Sequence, residues 1–347
     1  MMTSRRAFIG ASSLLAAAAL AACSEKVPQV AAPSADPTVN PVLDSERLVT
    51  VLERIQKGVD AADAAKDPNA LTGYLTGPAA RIRAESYNLA TAVADDKRIR
   101  TLKTTSQASA VGLTQDFPRT AITVTEGTDT SNVPLLLALT QADARADYQL
   151  WGWVQVFGGA TFPKTATAAG GSKQIAADDA SLAATPQSVL EAYVDALNNP
   201  QGSNGTAFAD DQLRQQVARE RATDVSAAGE VKVQATAGSD GFQGLATSDG
   251  GAVVLTTLTI TTTFKRTAAG SKLTLSSDIG TMLGENKEVV GTVTATYDAM
   301  VAFSIPAAGG GQATALGAEV VLAKVERDDS QAPSPAPTAT ASATARN

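Results

Sequence analysis

Histidine is absent from the 347 residues, and cysteine occurs once, at Cys23. Without imidazole there is no ordinary neutral-pH proton shuttle, no Ser-His-Asp or Cys-His nucleophile and no common zinc ligand set. What remains is the chemistry of carboxylates, phenols, guanidinium groups and one thiol. Paired carboxylates stand at Asp95-Asp96, Asp178-Asp179, Asp210-Asp211 and Asp328-Asp329. General acid–base work needs one carboxyl in an apolar setting that raises its pKa. These pairs lie in polar, turn-like contexts, which suit helix caps and solvated loops. Asp143 with Asp147, or Asp129 with Asn132, offers oxygen ligands for calcium, but neither has the helix–loop–helix ligand spacing. The chain has no Gly-x-x-x-x-Gly-Lys-[Ser/Thr], no Gly-x-Ser-x-Gly and no Ser-x-x-Lys. No catalytic residues, metal or cofactor are therefore expected, and Gly170-Gly171-Ser172-Lys173 and Gly309–Gly311 read as flexible loops.

Two groups of residues are candidates for binding. Both tryptophans fall in Leu150-Trp151-Gly152-Trp153-Val154-Gln155-Val156-Phe157. Residues two apart share a strand face. Trp151, Trp153 and Phe157 are thus expected on one side, with Tyr148, Leu150, Val154 and Val156 on the other. Either both sides are core, or the tryptophan side is the wall of a ligand cavity or partner surface. Arg81, Arg83 and Glu85 follow Pro78 on a helix. Arg83 is a candidate for an anion or a partner carboxylate, against a solvated face or internal pairing.

The thiol has a more specific context. Ser4-Arg5-Arg6-Ala7-Phe8-Ile9 resembles the twin-arginine export signal. The apolar run from Phe8 to Ala22 is 15 residues, short of the ~20 that span a bilayer and suited to a signal peptide. It ends at Leu20-Ala21-Ala22-Cys23, which resembles the bacterial lipobox. The resemblance implies that Cys23 receives a diacylglyceryl thioether, with palmitate as an expected acyl chain. The full chain carries 28 basic and 35 acidic residues, and cleavage before Cys23 removes two arginines, taking the net charge from −7 to −9. Such a body is repelled by anionic lipid, and nucleic acid is not expected as a partner. The acyl chains must then hold the protein, at about 0.8 kcal/mol per buried CH₂. The expected location is the outer face of the cell membrane.

The elements that must position these residues follow from patterning. Residues 1–22 read as signal peptide, 23–43 as a Pro-rich tether and 328–347 as an Ala/Pro/Thr-rich tail, both disordered by composition. Between them an α+β fold is expected in two tandem modules, 44–163 and 185–327, joined by a linker over 164–184. Each opens with helices and continues into a curved antiparallel sheet. In the first, Asp44 or Ser45 caps a helix with the expected buried stripe Leu48, Val51, Leu52, Ile55, Val59 and Ala62. Asp67-Pro68 breaks it, and Gly77-Pro78 restarts the chain. Strands are expected over 120–125, 134–140 and 148–157. In the second, Thr185-Pro186 opens a helix with the stripe Val189, Leu190, Tyr193, Val194 and Leu197, and Asp210 or Asp211 caps another through about Arg221. Strands are expected over 231–236, 252–264, 272–283, 288–305 and 316–327, with hairpin connections at 264–272 and 306–311.

The halves resemble the cone-shaped nuclear transport factor two-like fold, in which helices pack into a curved sheet. The body also resembles a group of actinobacterial exported lipoproteins whose shared domain has no assigned function. The residues are Gly77-Pro78-Ala79-x-x-x-Arg83-Ala84-x-x-Tyr87, Phe117-Pro118-Arg119, Leu137-Ala138-Leu139-Thr140-Gln141, Tyr148-x-Leu150-Trp151, Gly159-Ala160-Thr161-Phe162-Pro163 and Thr185-Pro186. The resemblance implies an anchored extracytoplasmic protein and supplies no catalytic residues. The expected role is non-catalytic binding of an envelope protein or a small apolar ligand. The alternatives are a pocket enzyme with carboxylate and tyrosine chemistry, or an envelope assembly or carrier factor.

Overall fold

Asp44 starts the first helix, α1 (Ser45–Ala65), where its carboxylate accepts the Arg47 amide at 2.8 Å. Leu48, Leu52, Ile55, Val59 and Ala62 form its buried stripe. The helix stops at Lys66, which adopts the left-handed conformation ahead of Pro68. At Gly58 a Cβ would lie 2.3 Å from the Tyr74 ring, so only glycine lets that ring lie against the helix. Pro78 sits in the first turn of α2 (Gly77–Val93), where its missing N–H costs nothing. A four-stranded antiparallel meander follows: β1 (Ser106–Val111), β2 (Arg119–Thr125), β3 (Leu135–Gln141) and β4 (Gln149–Val156).

This computed structural model describes residues 41–114, 116–127, 132–164 and 170–334. Arg5, Arg6 and Cys23, residues 24–40 of the tether, Asp129 and the tail from 335 lie outside the described residues. The second half repeats the order of helices before strands. Helices α3 (Pro186–Asn198), α4 (Ser203–Ala207) and α5 (Gln212–Arg221) precede β5 (Gly229–Ala237), β6 (Gln243–Ala246) and β7 (Ala252–Arg266). A short helix, α6 (Ser277–Met282), then separates β7 from β8 (Thr292–Ile305) and β9 (Thr314–Asp328). The expected α+β class, with helices leading antiparallel strands in each half, is what the structure shows.

All nine strands belong to one sheet, ordered β1-β2-β3-β4-β9-β8-β7-β5, with β6 also paired to β7. The halves join where Gln155 and Val156 of β4 pair with Ala318 and Gly317 of β9. At Gly317 a Cβ would fall 2.3 Å from the Gln155 carbonyl oxygen, so this joint needs glycine. A second connection comes from residues 172–175. Ser172 exchanges hydrogen bonds with Val111 and Leu113, while Lys173 and Ile175 bond Ala246 and Gly244 of β6. Gly170-Gly171-Ser172-Lys173 thus does not end in an open loop. Ser172 and Lys173 satisfy backbone groups that β1 and β6 would otherwise leave unpaired, and the pairing runs round a closed circuit. Residues 41 onward belong to one compact unit.

The side-chain period of two sends alternate residues of β7 and β8 to different cores. Leu255, Met300 and Ala302 join the first helices and β1–β4, whereas Val254, Leu258, Val301 and Phe303 pack with Val189, Leu190, Tyr193 and Leu197 of α3. The free edge of β5 is covered by side chains. Asn198 both accepts from the Ala235 N–H, at 2.8 Å, and donates to its carbonyl, at 2.9 Å. Such cover blocks further strand addition.

One expected strand is absent. Residues 272–283 contain α6, and β7 and β8 are joined not by a tight hairpin at 264–272 but by residues 267–291. Leu273 and Leu275 are extended, as their alternation suggests, but they bond Val289 and Lys287 and form the neck of an excursion that carries α6.

Candidate functional site

Helix α2 places three charged groups in three environments. Arg83 turns inward and is fully buried. Its Nε donates to Asp63 at 2.8 Å, its second guanidinium nitrogen pairs with the other Asp63 oxygen, and Nη1 donates to the Arg100 carbonyl at 2.7 Å. Tyr87 donates to Asp63 at 2.6 Å, and burial followed by that carboxylate pushes its phenol up. The Arg83 guanidinium stands 5.9 Å from the centroids of both the Tyr87 and Trp153 rings. Of the two roles open to Arg83, internal pairing describes this geometry: no face of the guanidinium reaches solvent.

Arg81 clamps α2 to the second half. It donates to both oxygens of Asp240, at 2.9 and 2.7 Å, and to Asp298 of β8 at 2.6 Å. The ion pairs hold Arg81 well above its ordinary value and Asp240 below the usual carboxylate range. Glu85, one turn on, has Oε2 buried without a hydrogen-bond partner. Burial, then the Asp298 carboxylate, pushes its carboxyl up to about 8, with Arg81 opposing.

Trp151, Trp153 and Phe157 are all buried, at 7%, 1% and 8% exposure. A bulge in the β3–β4 register pairs Gly152 with Ala138 and Leu150 with Leu139, leaving Trp151 as the extra residue. The Trp151 indole nitrogen abuts Gly77, 3.3 Å from where a Cβ would stand. Trp153 packs beneath Arg83, while Phe157 belongs to the second core. The aromatic wall drawn from strand spacing is therefore divided between two cores, and none of the three lines either cleft described next.

Two open clefts flank Tyr297 of β8. The larger, about 690 Å³, lies between α2, residues 97–101, α6 and β9. Its lining includes Leu89, Arg98, Arg100, Asp278 and Glu319. Glu319 is buried, with Arg100 Nε 2.6 Å from its carboxylate, and burial is the main cause that raises its pKa. Arg98 pairs with Asp278 at 2.9 Å. The charges of this cleft are thus largely balanced in pairs. The smaller, about 560 Å³, lies between the end of α5, the start of β5 and the α6 excursion, and is lined by Glu220, Asp224, Phe264, Lys272 and Tyr297 among others.

The adjacent aspartates take local roles. Asp95, Asp211 and Asp328 cap helical turns, and Asp179 is held at about 2 chiefly by Lys173 and Ser181. Asp211 also receives the Tyr193 hydroxyl at 3.0 Å, and its burial raises its pKa. Asp143 accepts the Arg145 and Ala146 amides. Among the described residues no group of three or more His, Cys, Asp or Glu side chains could hold a metal ion.

The sequence reading did not single out Glu319, Arg100, Tyr297 or Glu220. One signal was present: Glu319 is a lone carboxylate within Leu316-Gly317-Ala318-Glu319-Val320-Val321-Leu322, and an ionised group in an apolar strand needs a partner. Glu220, between Arg219 and Arg221 at a helix end, carries no such signal.

No curated protein and no solved structure matches the chain. A family model described as Domain of unknown function (DUF8094) matches residues 39–326 and so takes in both halves, the joint between them and both clefts. The chain belongs to the DUF8094 family.

Proposed function

We propose that this chain is an extracytoplasmic lipoprotein with a non-catalytic binding role. The Arg5-Arg6 signal directs export, cleavage precedes Cys23, and a diacylglyceryl group on Cys23 holds the protein to the outer face of the cell membrane. The observation that carries this reading is the sequence from Ser4 to Cys23, in which the paired arginines, the short apolar run and the sole cysteine occur in the order that such processing requires. Two acyl chains anchor stably where one does not. Among the described residues no helix is long and apolar enough to cross a membrane, so the body contributes no spanning helix of its own.

Two open clefts support a binding role for an envelope protein or a small ligand. Likeness of the halves to nuclear transport factor two-like modules belongs to the same reading, supported by helices that precede antiparallel strands twice. A pocket enzyme is the second reading, favoured by Glu319 and Tyr297 lining one cleft. The Arg100 partner of Glu319 favours binding over acid–base work. The test of the lipoprotein reading is the mass of the N-terminal peptide from protein isolated from its native membrane. The expected peptide begins at Cys23 and carries the diacylglyceryl mass, which Cys23→Ser abolishes. An unmodified Cys23 overturns the proposal.

A further inference from the structure

The smaller cleft holds a carboxylate that no cation pairs with among the described residues. Glu220 lies in the last turn of α5, is part-buried and lines the cleft, and among the described residues its side chain has no hydrogen-bond or ion-pair partner. Burial alone raises its pKa. Asp224 adds a second carboxylate, turned toward Ser226 at 2.7 Å. Lys272 lines the same cleft, yet no ion pair joins it to either acid. The C-terminal end of a helix carries a partial negative charge that also favours cations. Tyr297 lines the same cleft, and burial, then the Glu220 and Asp278 carboxylates, push its phenol up. Phe264 and Leu273 supply buried apolar surface. An aromatic residue and an unpaired carboxylate lining one cleft are the components that recognise an organic cation.

We propose that this cleft binds a small organic ammonium ion, with Glu220 as its counter-charge and the Tyr297 ring as its cation–π face. In the larger cleft on the other side of Tyr297 the carboxylates, Asp278 and Glu319, are already paired with Arg98 and Arg100. The inference rests on the binding role proposed above and names the chemistry of one of its ligands.

The test is a calorimetric titration of the full-length chain, in non-ionic detergent, with choline chloride and with ethanolamine hydrochloride, using sodium acetate as the control. Saturable binding of an amine at one site per chain is expected, and none of acetate. Glu220→Gln should weaken binding about tenfold or more, the equivalent of about 1.4 kcal/mol, with no fall in melting temperature. Tyr297→Leu should weaken it too, while Tyr297→Phe, which keeps the ring, should bind like the parent. Lys272→Met should strengthen it by removing a competing cation. Absence of saturable binding at millimolar amine, or equal affinity in Glu220→Gln, overturns the proposal. The mass at Cys23 is read on the same preparation. An acylated protein that ignores amines sinks only the ligand class, and an unmodified Cys23 sinks the anchored reading whatever the titration shows.

Discussion

Replacing Glu85 by glutamine should stabilise the protein in mild alkali and change little in acid. The Glu85 carboxyl is held at about 8, against an ordinary 4.5, first by burial and then by the neighbouring Asp298. In the unfolded chain both causes vanish. Between pH 4.5 and about 8 the folded protein therefore binds more protons than the unfolded chain, and stability falls as pH rises through that window. Below 4.5 both states are protonated and the group contributes nothing; above 8 the loss is complete. At 1.36 kcal/mol per pH unit the displacement would amount to about 5 kcal/mol in a dry site. Glu85 is only part-buried, and solvent screening reduces this to roughly 1–2 kcal/mol. Glutamine keeps the shape and removes the ionisation. Urea unfolding at fixed ionic strength should give Glu85→Gln and parent similar midpoints below pH 5. At pH 8.5 the variant should be more stable by roughly 1–2 kcal/mol, with unchanged m. A difference independent of pH, or a parent more stable than the variant at pH 8.5, would refute the reasoning.

Two further substitutions probe the packing. Gly317→Ala puts a methyl group 2.3 Å from the Gln155 carbonyl at the β4–β9 joint, and should cost roughly 1–3 kcal/mol, read as a lowered melting temperature; an unchanged value would contradict the joint. Asp63→Asn leaves the Arg83 guanidinium buried without its counter-charge, and chemical denaturation should show a loss near the lower end of about 3–5 kcal/mol, because Asp63 retains some exposure. A loss within experimental error would mean that Arg83 finds water or another partner.

Local elements were legible where one segment carried its own signals. Asp44 with the Leu48–Ala62 stripe, and Thr185-Pro186 with Val189, Leu190, Tyr193 and Leu197, specify caps and buried faces within a few turns, and α1 and α3 form there. The threonine-rich 252–264 run forms most of β7. Features that depend on distant residues were not legible. The β4–β9 joint relies on Gly317 meeting Gln155, and the bulge at Trp151 shifts the alternation on which the aromatic wall was drawn. Alternation alone could not distinguish a strand from the extended neck that carries α6. Arg83 illustrates the limit at the site: its type left binding, a solvated face and internal pairing open, and only the position of Asp63 on another helix shows its charge already matched. Glu220 is the converse, an unremarked helix-end acid that the fold leaves facing a cleft.

Anchoring by Cys23 is tested most directly by partition of the natively expressed full-length protein between a detergent phase and water, beside its Cys23→Ser variant. The body is acidic, with no spanning helix among its described residues. The native protein should therefore enter the detergent phase through its acyl chains alone, and the variant should stay in water. Recovery of the native protein in the aqueous phase, or of both proteins in detergent, would contradict the account.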